Sequence, residues 1–149
     1  YITNTHLTNI KNSYYDLIIL NLAKSPVTLF NQEEISQLKY KGGLSNKRRL
    51  VFGYISIGVL EKNTPFWFGS NWACGAAQST PDWLGKAYLA GVSNKCRVKY
   101  WEEKWKDILF KHQLSMLKKA ISVGFDGIVI DHVDTGKAFC TEDSNCWGY

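Results

Sequence analysis

Two apolar runs frame the chain. Tyr15-Asp16-Leu17-Ile18-Ile19-Leu20 and Leu50-Val51-Phe52-Gly53-Tyr54-Ile55-Ser56-Ile57-Gly58 are nearly continuous in apolar residues, and Asn21 stands at the exit of the first. Runs of this kind predict strands covered on both faces, as in a parallel sheet. Between them, Asn31 is followed three residues later by Glu34, which predicts a capping box. Ile35 and Leu38 then form the buried side of a short helix that Gly42-Gly43 stops. Strand, helix and strand within about 45 residues predict βαβ organisation with a right-handed crossover. Tyr1-Ile2 reads as the stub of a further strand, followed by a polar stretch through Asn12.

From Val59 to Asn94 the periodicity fades, and Gly, Trp and Asn residues surround a Thr80-Pro81-Asp82-Trp83 turn. Trp67, Trp72 and Trp83 argue for a loop packed over the sheet rim. Arg97-Val98-Lys99-Tyr100-Trp101 reads as a short strand with Val98 and Tyr100 on one face. Behind it, Trp105, Ile108, Leu109, His112, Met116, Leu117, Ala120 and Ile121 fall on one helical stripe, with His112 as a core or boundary residue. Gly124 ends that helix and hands the chain to a strand over residues 127–131, where β-branched residues follow glycine and run into Asp131-His132-Val133-Asp134.

Carboxylates at a strand exit carry the candidate chemistry. Open parallel sheets and α/β barrels both place their sites just past the carboxyl ends of the strands, so Asp131 and Asp134 are the first candidates for catalysis. The plainer role for either is to cap the following turn or helix. Strand alternation, continued through His132, points that ring away from Asp131.

Composition narrows the class. The 149 residues suit one globular domain spanning the whole chain, and the aromatic share of 14% suits either a core or the stacking of sugar rings. The net charge of +5 is dispersed, with Lys47-Arg48-Arg49 the main cluster, read as a solvated lead-in to a strand; no nucleic-acid partner is expected. No apolar segment approaches the roughly 20 residues of a membrane span. Cys74, Cys96, Cys140 and Cys146 show no zinc-finger spacing, so disulfides and an extracytoplasmic location are expected. Chain order favours Cys74–Cys96 and Cys140–Cys146 among three possible connectivities. No metal or cofactor is called for.

Five segments together resemble glycoside hydrolase family 114, the endo-α-1,4-polygalactosaminidases. They are residues 15–19, residues 53–58 with Glu61, residues 81–85, residues 98–101, and residues 124–127 with Asp131 and Asp134. The resemblance implies a (β/α) TIM-barrel glycosidase, secreted or exported, that cleaves galactosamine-containing polysaccharide with retention. It maps the nucleophile onto Asp131 and the second acid of the same motif onto Asp134. Tyr54, Glu61, Tyr100 and Trp101 match positions near the sugar cleft, to which Trp67 and Glu102 are added as substrate-binding candidates. The family's acid/base glutamate has no counterpart in these residues, Asn21 stands where an aspartate is usual, and Val59 where a glutamate is common; Glu61 and Glu102 are the acids at hand to replace the proton donor.

A full barrel takes about 250 residues, so this chain corresponds to the N-terminal half to two-thirds of one. An unpaired strand edge then invites self-association. Two other classes compete with the hydrolase: an inactive carbohydrate-binding homologue or truncated fragment that keeps the cleft aromatics, and a metal-dependent hydrolase using Asp131, His132 and Asp134.

Overall fold

The computed structural model describes residues 4–25, 28–42, 47–62, 64–66, 72–75, 80–111 and 115–142. Tyr1-Ile2, Gly43, Trp67, His112 and Cys146, all singled out above, lie outside the described residues. The chain is a mixed α/β structure built on a parallel three-stranded sheet, and among the described residues that sheet does not close into a barrel.

The chain enters through helix α1 (Asn4–Lys11) where the sequence promised only a polar stretch. Strand β1 (Leu17–Asn21) follows, then a small antiparallel pair, β2 (Ala23–Ser25) and β3 (Thr28–Leu29). Helix α2 (Gln32–Leu38) begins with the expected capping box: the Asn31 side chain accepts from the Glu34 N–H at 2.9 Å, and the Glu34 carboxylate accepts from the Asn31 N–H at 3.0 Å. Ile35 and Leu38 are its buried residues, as their spacing predicts.

Strand β4 (Leu50–Ser56) pairs in parallel with β1 on one side and with β8 (Gly127–Asp131) on the other. One face of this sheet, with Ile18, Leu20 and Val51, packs on Phe30, Ile35, Leu38 and Val123. The opposite face carries Leu17, Ile19, Tyr54 and Asp131 by register. Expected to be covered on both sides, β1 instead leaves Leu17 at 44% and Ile19 at 50% exposure. A continuous apolar run reports what a strand can bury, whereas the number of layers stacked against it is a tertiary matter.

The stretch read as a packed loop holds regular structure. Strands β5 (Val59–Glu61) and β6 (Leu84–Ala87) flank β7 (Lys95–Val98) in an antiparallel sheet of the order β5-β7-β6. The Cys74–Cys96 disulfide ties residue 74 to β7. Cys140 is also disulfide-bonded. Trp72, Trp83 and Trp105 form an aromatic column with ring separations of 5.2 and 5.0 Å, and the buried Trp105 donates its indole N–H to the Ile57 carbonyl at 2.8 Å. These indoles serve the core.

The long predicted helix is divided. Helix α3 (Glu103–Lys106) runs into one turn of π-helix (Asp107–Lys111), and α4 (Met116–Val123) starts afresh with the Ser115 hydroxyl accepting from the Lys118 N–H. The apolar stripe survives in part: the wider turn rotates the chain while keeping Trp105, Leu109, Met116 and Ala120 inward, but Ile121, read onto the same stripe, is 67% exposed. Gly124 closes α4 in the left-handed region at φ 88°, where a Cβ is disfavoured. Helix α5 (Thr135–Glu142) ends the described chain.

Two charged residues organise the sheet's amino-terminal end. Arg49, placed by sequence in a solvated cluster, is 2% exposed. Its guanidinium donates to the Ile10 and Lys11 carbonyls at 2.9 and 2.6 Å and to the Ser13 hydroxyl at 2.9 Å, adding a charged donor to carbonyls at the end of α1 that also accept from the Ser13 and Gly42 N–H groups. Asp126 receives Lys39 at 2.9 Å, Arg48 at 2.8 Å and the Val51 N–H at 3.0 Å, while its own N–H donates to the Val51 carbonyl at 2.8 Å. That reciprocal link sets the register of β8 against β4.

Candidate functional site

The site forms where β4 and β8 end side by side. Ser56 and Asp131 are register partners, and Tyr54 lies two residues back on the same face. Gly127 permits this pairing, since a Cβ there would come within 2.9 Å of the Phe52 ring. Asp131, the last residue of its strand, has a half-exposed side chain. The Tyr54 hydroxyl donates to Oδ2 at 2.5 Å and the His132 N–H donates to Oδ1 at 2.7 Å, so each carboxylate oxygen has its own donor.

These donors tune both partners. The Tyr54 hydroxyl first, then the His132 N–H, holds the Asp131 carboxyl below the usual carboxylate range, against a smaller opposing effect of burial. Burial first, then the bond to Asp131 and its charge, pushes the Tyr54 phenol far above its ordinary value. Both shifts favour a neutral phenol donating to an ionised carboxylate.

His132 does not continue the strand. Its φ of 58° makes it the one described non-glycine residue in the left-handed region, and the turn brings its ring back to the side of Asp131, opposite to what alternation predicts. Nδ1 lies 3.0 Å from Ser56 Oγ and 3.5 Å from both Tyr54 Oη and Asp131 Oδ2. Tyr88 packs edge-on against the imidazole at 5.0 Å.

The segment behind His132 is fixed by three contacts. Thr135 Oγ1 donates to the His132 carbonyl at 2.8 Å, and the Tyr100 hydroxyl donates to the Val133 carbonyl at 2.9 Å. Gly58 completes the clamp: a Cβ there would fall 2.0 Å from the His132 carbonyl oxygen and 1.9 Å from Thr135 Oγ1. A glycine is needed for this backbone approach whatever its φ.

Next to Tyr54, a cavity of about 490 Å³ opens past the ends of β1 and β4. Asn21, Lys24, Tyr54, Ser56, Glu61 and Asn94 are among its lining residues. Lys24 is paired with Glu34, and Glu61 is approached by Asn94 at 3.4 Å and Lys95 at 3.6 Å. The volume suits one small ligand or a sugar unit.

The predicted residues thus divide. Tyr54 and Asp131 are joined directly, and Glu61 lines the cavity that Tyr54 borders. Tyr100 and Trp101 instead brace the segment after β8: Trp101 packs against Phe139 at 5.5 Å, and Tyr100 holds Val133. Glu102 is exposed ahead of α3 and makes no side-chain capping bond. Asp134 is exposed ahead of α5; its carbonyl accepts the Lys137 N–H at 3.0 Å, and among the described residues its carboxylate makes no hydrogen bond. No three His, Cys, Asp or Glu side chains are grouped to hold a metal ion among the described residues. No described helix is long and apolar enough to cross a membrane. Sequence reasoning passed over Ser56 and misdirected His132; Gly58, two residues past Ser56, was the available sign of a close approach there.

The fold and site define a strand-end carboxylate on a parallel α/β sheet. No protein-family model matches the chain. An uncharacterized protein of Methanocaldococcus jannaschii is 32% identical over 133 residues, covering 88% of this chain and 34% of the relative. An uncharacterized protein of Thermotoga maritima is 28% identical, covering 93% of this chain and 39% of the relative. One of Deinococcus radiodurans is 25% identical, covering 87% of this chain and 37% of the relative. The chain spans little more than a third of the length of the curated relatives it matches.

Proposed function

We propose that this chain carries the nucleophile-bearing segment of a glycoside hydrolase resembling family 114, acting with retention on galactosamine-containing polysaccharide. Asp131 attacks the anomeric carbon. The observation that carries this reading is the pair of donors on Asp131, which favours and orients a half-exposed strand-end carboxylate; Asp131 is not itself among the residues lining the cavity, but its donor Tyr54 is. Retaining hydrolysis needs such a carboxylate, together with a proton donor across the scissile bond. Asp131 and Glu61 give the region carboxylates for an amino sugar, which offsets the net positive charge of the chain locally. In this reading the three parallel strands are the first part of a (β/α) barrel, and the edges of β1 and β8, unpaired among the described residues, are where further strands or a second copy pair. The Cys74–Cys96 bridge supports an extracytoplasmic location.

The test is covalent trapping. A fluorinated galactosaminide whose glycosyl-enzyme turns over slowly is expected to add one sugar mass to the peptide holding Asp131, and Asp131→Asn to abolish the adduct. Labelling elsewhere, or none in this chain or in a longer form containing it, overturns the proposal. A second reading, a carbohydrate-binding homologue without turnover, draws on the exposed carboxylates of Asp134 and Glu102, neither of which is hydrogen-bonded to Asp131 among the described residues. Oligosaccharide affinity that survives Asp131→Asn, with no trapping, selects it.

A further inference from the structure

Folding gathers the positive charge of the chain at one end of the sheet. Backbone hydrogen bonds join the pieces there: the Gly42 N–H donates to the Lys11 carbonyl at 2.7 Å, the Lys41 N–H to the Lys47 carbonyl at 2.9 Å and the Leu50 N–H to the Asp16 carbonyl at 2.9 Å. Lys11, Lys39, Lys41, Lys47, Arg48 and Arg49 thus surround the amino-terminal ends of β1 and β4, with Asp16 and Asp126 as the acids among them. Six cations against two carboxylates leave a charge of +4, most of the +5 of the whole chain. A charge that looks dispersed along the sequence is concentrated in space.

The acids do not quench it. Lys39 and Arg48 share one oxygen of Asp126, Lys41 takes Asp16, and Arg49 is held on neutral oxygens. The exposed side chains of Lys11 and Lys47 have no carboxylate partner among the described residues. Although its side chain is 90% exposed, Asp16 is held below the usual carboxylate range, first by Lys41 and then by Lys47 and Arg49, which reports the positive field. Tyr14, Tyr15 and Tyr40 stand in this field at 91, 71 and 46% exposure. Beside them a cavity of about 580 Å³ runs along β1, with Asn9, Ser13 and Tyr15 in its wall. Exposed aromatic rings grouped with cations mark an interaction surface rather than a solvated rim.

We infer that this end of the molecule docks an acidic polysaccharide, whose carboxylates meet Lys11, Lys47 and Arg48 while its sugar rings stack on Tyr14 and Tyr15. Arginine forks a carboxylate and a tyrosine face packs on the C–H face of a pyranose, so the residue types suit both parts of such a polymer. Nucleic acid is the poorer fit, because the Cys74–Cys96 bridge belongs to oxidising compartments. So is an anionic bilayer: the exposed Asp16 carboxylate lies among the cations and would be pressed against headgroups of its own sign, whereas a single polymer strand can pass beside it. The surface is at the opposite end of the strands from Asp131, so the inference does not rest on the glycosidase reading and either can fail alone.

Calorimetric titration of the full chain with polygalacturonate, a carboxylated glycan, tests it. Binding is expected, weakening steeply with added salt, and neutral dextran should not bind. Lys11→Gln/Lys47→Gln removes two exposed charges and is expected to weaken binding about 10-fold, while Lys104→Gln/Lys137→Gln, which removes as much exposed charge elsewhere, should change it less than about 2-fold. Tyr14→Ala is expected to cost about 5-fold, since that ring is almost wholly exposed and its loss leaves the core untouched. No binding to polygalacturonate, equal binding to dextran, equal losses in the two lysine pairs, or full affinity in Tyr14→Ala would overturn the inference. So would tighter binding to phosphatidylglycerol vesicles or to duplex DNA than to polygalacturonate at the same salt.

Discussion

Tyr54 and Asp131, on adjacent parallel strands, are joined by a 2.5 Å hydrogen bond that runs from a phenol to a carboxylate at the sheet's carboxyl end. The bond exists because the β4–β8 register places both side chains on the face that the helices do not cover. Replacing Tyr54 by Phe keeps the ring and removes the donor. The Asp131 carboxyl then rises toward its ordinary value, measurable by carbon NMR titration. Since Asp131 is depressed in the folded state, its contribution to stability is present above the ordinary carboxylate value and is lost as pH falls through the folded one. The variant is expected to lose less than about 1.5 kcal/mol near neutrality and to show a shallower acid-side slope.

Asp126 offers a larger effect at the opposite end of the same strand. Burial alone would raise its carboxyl, but the Val51 N–H, Lys39 and Arg48 more than offset this and the net shift is downward. Asp126→Asn leaves two cations unpaired, for an expected loss of about 3 kcal/mol by urea denaturation near neutral pH. The sign of the shift makes this difference present above about pH 4 and smaller as the wild-type carboxylate is protonated below it. A gap independent of pH would refute the hub assigned to Asp126.

Gly58→Ala tests the clamp behind the site. The added methyl has no room between the His132 carbonyl and Thr135, so the turn must move. A cost of about 1–3 kcal/mol is expected, in the range of overpacked positions. In amide NMR spectra the largest changes should fall on residues 131–135, with α2 and β1 little affected. Uniform changes across the chain would mean that Gly58 supports the whole fold rather than the site.

Reduction of the Cys74–Cys96 bridge removes a cross-link between residues 22 apart. Loop-closure entropy puts the expected destabilisation at about 3 kcal/mol. Thermal unfolding of the Cys74→Ser/Cys96→Ser double variant against wild type measures it, since reductant would also open the bridge at Cys140. An unchanged midpoint would indicate that the β5-β7-β6 sheet and its tryptophan column hold this region unaided.

Much was legible in the one-dimensional pattern because it depends on neighbours in the chain. The capping box of Asn31 and Glu34, the stop at Gly124 and the strand over residues 127–131 all rest on local backbone preference and spacing, and all are found. The pairing of Cys74 with Cys96 also follows chain order. Strands β5 and β6 were missed because they are three or four residues long and their bonds join residues far apart in sequence, while the strand read over residues 97–101 corresponds to β7, which spans Lys95–Val98 and ends before Tyr100 and Trp101. Arg49 looks like any surface arginine until α1 sets its carbonyls beside it.

Sequence by itself determined that Asp131 ends a strand, since β-branched residues bounded by glycine and acids specify that segment locally; the burial expected of it is not found, with Ile130 52% exposed. Only the tertiary structure decided what surrounds it. Strand register brought in Tyr54, and the close approach of Gly58 to the His132 backbone turned a ring that alternation sends outward back toward the carboxylate. Contacts between residues some 75 positions apart reflect how strands and turns pack in three dimensions, and no local spacing encodes them.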